Sequence, residues 1–248
     1  MEDKCKKVAL VTGASRGIGD GITKALRASN ITVAGVSVSN EATTADRWFQ
    51  CDVSVSDQVQ KTIRDIFAAF GRIDILVNSA GIAEYATLTD TTTELWNKTL
   101  SVNLTGTFLM MRKVMPLMIQ QGWGRIVNIA STASKRGEPQ MAAYATSKHA
   151  IIGLTRSAAL QVAKSGIPVN AICPGGVPTD LLQKGLQDWS VQTGRPVEAG
   201  KRIFQSFTPQ NRFFEICEVA ALVSFVVSEE ARGINGQSIN LCGGAISL

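Results

Sequence analysis

Tyr144 and Lys148 stand four residues apart in the stretch "YATSK" (144–148). On a helix that spacing sets both side chains on one face. A free phenol titrates near ~10 and is a poor base at neutral pH, but a neighbouring ammonium stabilises the phenolate. Lowering the phenol by about 3 pKa units takes roughly 4 kcal/mol, at ~1.36 kcal/mol per unit, and a close cation in a partly desolvated site supplies it. The pair therefore suits proton transfer to or from an oxygen. An ordinary solvated helix turn carries the same two residues by chance, so the surroundings decide.

A second stretch bears on that decision. "VALVTGASRGIGDGITKAL" places Gly13, Gly17 and Gly19 directly after a strand-like run and at the opening of a helix-like one. The spacing is GxxxGxG rather than GxGxxG, yet the physical use is the same. It allows a tight turn, a close backbone approach to a pyrophosphate, and a helix N-terminus that favours negative charge. A glycine-rich turn with no ligand is the competing reading. A dinucleotide beside a proton-transfer pair suits hydride exchange between a nicotinamide and a carbonyl carbon, because the oxygen must then gain or lose a proton.

The elements that must position these residues alternate along the chain. Short β-branched runs begin at 7, 31, 48, 73, 124, 167 and 237, from "KVALVTG" through "WFQCDV" to "QSINLCGG". Between them lie segments with apolar spacing near 3.6, such as "VQKTIRDIFAAF" and "HAIIGLTRSAALQVAK". Strand–helix–strand repetition with continuously apolar strands predicts an α/β fold, a doubly wound parallel sheet covered on both faces. The 248 residues, 45% hydrophobic and 18% charged, suit one well-buried domain spanning 1–248. Residues 175–212, rich in proline and glycine, interrupt the rhythm after the sixth strand. They are expected to form two short helices folding over the crevice as a lid.

Six motifs then carry a family resemblance: "TGASRGIG" (12–19), "NSAG" (78–81), "VNLTG" (102–106), "NIAS" (128–131), "YATSK" and "ICPGGVPTD" (172–180). In this order and spacing, over essentially the whole chain, they resemble the short-chain dehydrogenase/reductase family and its single Rossmann domain. Ser131 precedes Tyr144 by 13 residues, as the family's catalytic serine does. The resemblance implies Tyr144 as general acid/base and Lys148 as its cationic neighbour and ribose ligand. It implies Ser131 as holder of the substrate oxygen, preorganised for a developing alkoxide, and Asn103 as holder of a water linking the lysine to solvent. Capping or turn hydrogen bonds are the plain alternative for Ser131 and Asn103.

The same resemblance implies cofactor contacts from Gly13, Ser15, Arg16, Gly17, Ile18 and Gly19, and from Asn78, Ala80 and Gly81. Further contacts fall at Pro174, Gly175, Val177 and Thr179, the last reaching the nicotinamide carboxamide. Ser79 replaces the second asparagine of the family's usual segment, which bears on local hydrogen bonding. Asp52 and Val53 would meet the adenine, with helix capping an equal alternative for Asp52. Ser37 falls where an acid would select NAD, and the next acid is Glu41. With no repulsion at Ser37 and Arg16 placed to face a 2′-phosphate, NADP is favoured over NAD, although no Arg or Lys follows the strand before Arg47.

These features imply an oxidoreductase acting on a small-molecule ketone or secondary alcohol, an acyl thioester or carrier-linked ketone among them. An NADPH-dependent ketoreductase of the 3-oxoacyl or polyketide type is favoured over an NAD-dependent hydroxy-acid dehydrogenase resembling 3-hydroxybutyrate dehydrogenase. A non-catalytic nucleotide sensor should lack Tyr, Lys or Ser, and all three are present. Trp189, Leu181, Leu182, Phe204 and Phe207 are candidates for an apolar pocket or for contacts within the lid. Arg195, Lys201 and Arg202 read as a solvated helix before an anion site.

A single histidine, His149, points about 100° from Lys148 around a helix, and a Ser-His-Asp triad is excluded. Five cysteines without CxxC or His-bearing clusters argue against a disulfide framework and a metal site, and for buried free thiols. Net charge is +5 without a basic stripe, so no nucleic-acid partner is expected. No long apolar stretch or signal peptide is evident, so no membrane association and a cytoplasmic location are expected. Helices expected at 93–121 and 140–164 carry surplus apolar and small residues, Ala150, Ile151, Leu154, Ala158 and Ala159, which suit a homotetramer or, failing that, a homodimer.

Overall fold

A computed structural model describes residues 6–39 and 44–247. Cys5 and Glu41 lie outside the described residues. Among these, seven parallel strands form one sheet: β1 (Val8–Thr12), β2 (Thr32–Ser37), β3 (Arg47–Gln50), β4 (Ile75–Asn78), β5 (Arg125–Ile129), β6 (Val169–Pro174) and β7 (Ser238–Leu241). Their order is β3-β2-β1-β4-β5-β6-β7. The chain winds outward from β1 in one direction and from β4 in the other, so a crevice opens beyond the carboxyl ends of these two neighbours. Thr12 pairs with Asn78, and Asn78 with Asn128, which sets three polar side chains in one row at that edge.

The helices follow from apolar spacing. α1 (Gly17–Ala28) buries Gly19, Ile22, Thr23 and Leu26, and α2 (Ser56–Phe70) buries Val59, Thr62, Ile63 and Ile66. Both sets fall at i, i+3, i+4, i+7, one stripe facing the sheet. One apolar core joins α2 and α4 (Gly106–Gln121) to the sheet, and a second joins α1 and α8 (Ile216–Val226) to its other face. α5 (Ala142–Gln161) packs against β6. On the side remote from the crevice, α2 and α4 end at Gly71 and Gly122, both left-handed and both facing open space.

Three expectations change. The third strand stops at Gln50 instead of running to Val53, because Asp52 Oδ1 accepts the Ser54 N–H (2.9 Å) and hydroxyl (2.6 Å) and turns the chain. The helix expected over 93–121 is α3 (Thr93–Leu100), one π-helical turn (Ser101–Thr105) and α4. The surplus apolar face is also not where it was expected. Ile151, Ala158 and Ala159 are buried within the chain, and the exposed apolar side chains of these helices are Phe108, Ile119 and Leu160. Segment 175–212 does carry two helices, α6 (Asp180–Thr193) and α7 (Val197–Ser206). No described helix is long and apolar enough to cross a membrane.

Candidate active site

The glycine turn after β1 has the form of a phosphate cradle. Gly13 (φ +67°) lies so close to the next loop that a Cβ would stand 2.9 Å from the Ala80 backbone. A Cβ on Gly19 would fall on the Gly13 carbonyl. Arg16 precedes α1 without a side-chain cap, so the first N–H groups of a 12-residue helix keep their positive end free. Thr12 Oγ1 accepts from both Ser79 and Ala80 N–H (3.1 Å each), and the Ser79 replacement leaves these two backbone bonds in place. The residues present fit a dinucleotide.

Beyond β2, the Ser15, Ser37 and Ser39 hydroxyls form a triangle with sides of 3.1–3.3 Å. Arg16 is not part of it. Its guanidinium reaches across to Asp180 at the start of α6, 3.6 Å away, with both side chains exposed. Ile18 is half-buried against the apolar core. Val53 lies beneath Gly106, and Asp52 is engaged in its turn with Ser54 rather than capping α2, whose cap position is Val55. Asn78 donates to Asn128 (2.8 Å), which in turn donates to Thr155 (2.9 Å).

On the far wall, Phe213 and Phe214 close over Gly176 and Gly175, and the Gly175 N–H bonds Leu241 O (2.9 Å). This seals the turn that follows Pro174, with Val177 buried beside it. Thr179 caps α6 and faces Gly17, its Cγ2 standing 3.3 Å from where a Gly17 Cβ would be. Gly17 and Thr179, both expected to contact a cofactor, thus face each other across the crevice.

Tyr144 and Lys148 lie on one face of α5, with Lys148 Nζ 5.6 Å from the centre of the Tyr144 ring. Nζ donates to Ile129 O (2.7 Å), at the carboxyl end of β5. Burial lowers the Lys148 ammonium to about 8. Burial also raises Tyr144 above its ordinary value, opposed by the Ser131 hydroxyl and reinforced by Glu138. The lowering expected from the lysine is not seen in this geometry, where burial comes first among the influences on the phenol.

Ser131 opens the short helical turn 132–134 that follows β5. Its Oγ accepts from Ala133 N–H (3.1 Å), capping a short turn, and it also stands as hydrogen-bond neighbour to Tyr144. Asn103 owes its place to the π turn, which inserts one residue into the helix and is a device frequent at functional sites. Its side chain accepts from Ile82 N–H (2.8 Å) and donates to Ile82 O (2.9 Å) and Ser147 Oγ (3.0 Å). That pins three segments around Gly81, whose missing Cβ would lie 3.4 Å from Asn103 Oδ1 and 3.7 Å from Lys148 Nζ. His149 is exposed and turned to Ala145 O.

The cations of segment 175–212 stand apart from this cluster. Lys201 and Arg202 are exposed on α7, and Arg195 stacks over Trp189 at 5.6 Å. Leu181 is exposed, whereas Phe204 and Phe207 meet edge to face at 5.5 Å. Sequence reasoning missed Tyr85, which contacts Phe204 (6.5 Å) and lies against Gly185 of α6. Cys51, Cys173 and Cys242 are buried free thiols as expected, but Cys217 is exposed.

Comparison with known proteins agrees with this geometry. A family model described as Enoyl-(Acyl carrier protein) reductase matches residues 13–245. The D-beta-hydroxybutyrate dehydrogenase of Cupriavidus necator is 38% identical, over 97% of this chain and 98% of its own. An actinorhodin polyketide ketoreductase crystallised with NADPH superposes with a TM-score of 0.94 at 31% identity, covering 99% of both chains. An NAD+-bound xylitol dehydrogenase superposes at 0.89 with 31% identity, over 96% of this chain and 98% of its own. The chain belongs to the short-chain dehydrogenase/reductase family. It is an NAD(P)-dependent oxidoreductase interconverting ketones and secondary alcohols.

Proposed function

We propose that the chain is an NADPH-dependent ketoreductase in which Tyr144 gives the proton to the carbonyl oxygen. The observation that carries this reading is the placing of Lys148 and Ser131 on either side of Tyr144, with the bare Gly81 beside the lysine Nζ. The cofactor supplies the hydride. Ser131 holds the substrate oxygen beside the Tyr144 hydroxyl, and the Lys148 ammonium binds the ribose hydroxyls and favours departure of the phenolic proton. Asn103 holds the loop at Ile82 and a water behind the lysine, and Thr179 takes the carboxamide. Residues 175–212 act as the lid of one catalytic unit spanning the chain.

NADPH is preferred because the serine triangle at Ser37 offers hydroxyl donors and no acid to a 2′-phosphate. Arg16 would leave Asp180 to join it. The second reading, an NAD-dependent hydroxy-acid dehydrogenase, draws support from Arg16 being paired with Asp180 and from the Cupriavidus relative. The deciding experiment compares kcat/KM for NADPH and NADH in the wild type, Arg16→Ala and Ser37→Asp. The proposal expects an NADPH preference that Arg16→Ala reduces and Ser37→Asp reverses. An NADH preference untouched by Arg16→Ala sinks it.

A small-molecule ketone is the partner, in a cytoplasmic homotetramer whose helices α4 and α5 pack through Phe108, Ile119 and Leu160. A monomer by light scattering at micromolar concentration would overturn that assembly.

A further inference from the structure

Tyr85 sits on the loop after β4, in a chain of rings and ions beside Tyr144. The next residue, Ala86, bonds Gln140 O through its N–H (2.9 Å) and bridges to Met141, the residue that opens α5 one turn before Tyr144. From above, α6 presses on the ring: a Cβ on Gly185 would stand 2.8 Å from the Tyr85 hydroxyl. Phe204 of α7 meets the ring edge-on at 6.5 Å. Backbone on one side and helix on the other thus hold the phenol in place.

Its hydroxyl has no hydrogen bond to any described residue. The charged and ionisable groups that face it are Glu138, Tyr144 and Asp188, and with burial they push the phenol up to about 12, so it remains a donor. The two cations beside those acids are already paired. Arg136 bonds Glu138 (2.8 Å) and lies over Phe207 (5.6 Å), while Lys184 bonds Asp188 (2.8 Å). A carboxylate entering beside Tyr85 would face these acids, and the two cations next to them are engaged, which favours an uncharged guest.

We propose that Tyr85 is a specificity-determining residue, which donates its free hydroxyl to a second oxygen of an uncharged substrate while Tyr144 and Ser131 hold the first. The site therefore takes neutral ketones that bear a further carbonyl or hydroxyl, and rejects keto acids. This rests on the ketoreductase reading above and narrows its substrate class.

The test uses Tyr85→Phe, which keeps the ring against Gly185 and Phe204 and removes only the hydroxyl. Four ketones are assayed with the preferred cofactor: diacetyl, butanone, methyl acetoacetate and acetoacetate. The expected result is that Tyr85→Phe lowers the diacetyl-to-butanone ratio of kcat/KM by about tenfold, the worth of one buried hydrogen bond. Wild-type protein should also favour the methyl ester over the free acid. An unchanged ratio, or a preference for acetoacetate, overturns the proposal. Should none of the four turn over, the ketoreductase reading fails in this assay, and the role of Tyr85 is read from calorimetry. Diacetyl should bind NADPH-saturated wild-type protein about tenfold more tightly than NADPH-saturated Tyr85→Phe, and equal affinities overturn the proposal there.

Discussion

Lys148 Nζ lies 5.6 Å from the centre of the Tyr144 ring, and loss of water drives the two groups in opposite directions, the phenol up and the ammonium down to about 8. Both shifts favour the neutral form. Reduction needs Tyr144 protonated, a state its raised value preserves, and Lys148 charged, a state lost as pH rises through about 8. The expected profile of kcat/KM for ketone reduction is level near neutrality and declines above that point. Alcohol oxidation, which needs the phenolate, should rise with pH instead. Rate measurements in both directions check this, and a reduction rate still climbing at pH ~10 would contradict it.

Tyr144→Phe should abolish turnover while leaving cofactor affinity near normal, because only the proton-transfer group is lost. General acid–base catalysis contributes ~10²–10⁴-fold, so a residual rate above about a tenth would reject Tyr144 as the donor. Equilibrium binding of NADPH, followed by its fluorescence, supplies the second readout.

Asn103→Ala removes three hydrogen bonds and strands both polar groups of the Ile82 backbone in a partly buried site. Each stranded group costs about 1–3 kcal/mol, so urea unfolding should show a loss of about 2–5 kcal/mol. Activity should fall with it, since Ser147, the other partner, bonds the Tyr144 carbonyl (2.7 Å).

Gly13→Ala forces a side chain into a left-handed residue and against the Ala80 backbone. Nucleotide affinity should drop more than about tenfold, with a destabilisation of about 1–3 kcal/mol. Fluorescence titration and thermal unfolding report the two effects separately.

Glu218 is held down to about 2 by the Arg212 guanidinium, which grips it at 2.7 and 2.8 Å, and by the Glu215 N–H. A depressed carboxylate stabilises above its unfolded value and loses that contribution as pH falls through the folded one. Glu218→Gln should therefore lower Tm near neutrality, and the gap from wild type should close as pH drops toward about 2. A gap that stayed constant with pH would assign the loss to packing.

Alternation of apolar strands with stripes such as Val59–Ile63–Ile66 made the sheet legible, because burial on both faces leaves a local trace in residue type. The glycine turn and the Tyr144–Lys148 pair were legible for the same reason: each function demands a residue type at a short spacing. The π turn was not, since weak helix formers such as those of "SVNLT" also occur in ordinary helices, and the turn is set by the bonds of Asn103 to Ile82 and Ser147. Tyr85 left no signal either, because its partners Gly185 and Phe204 lie about a hundred residues away. The direction of the Tyr144 shift depends on burial, which a helical face alone does not reveal.

The left-handed turns at Gly71 and Gly122 bear on how the molecule can be handled. A Cβ at either would meet nothing within 4 Å, and both stand at the sheet's far rim from the crevice. Chain inserted there has open space to occupy and no catalytic neighbour to disturb. That rim can accept an affinity tag, a surface tether or a fused domain, while the opposite rim, where Gly13, Gly19 and Gly185 have no spare volume, cannot gain a methyl group without moving its neighbours.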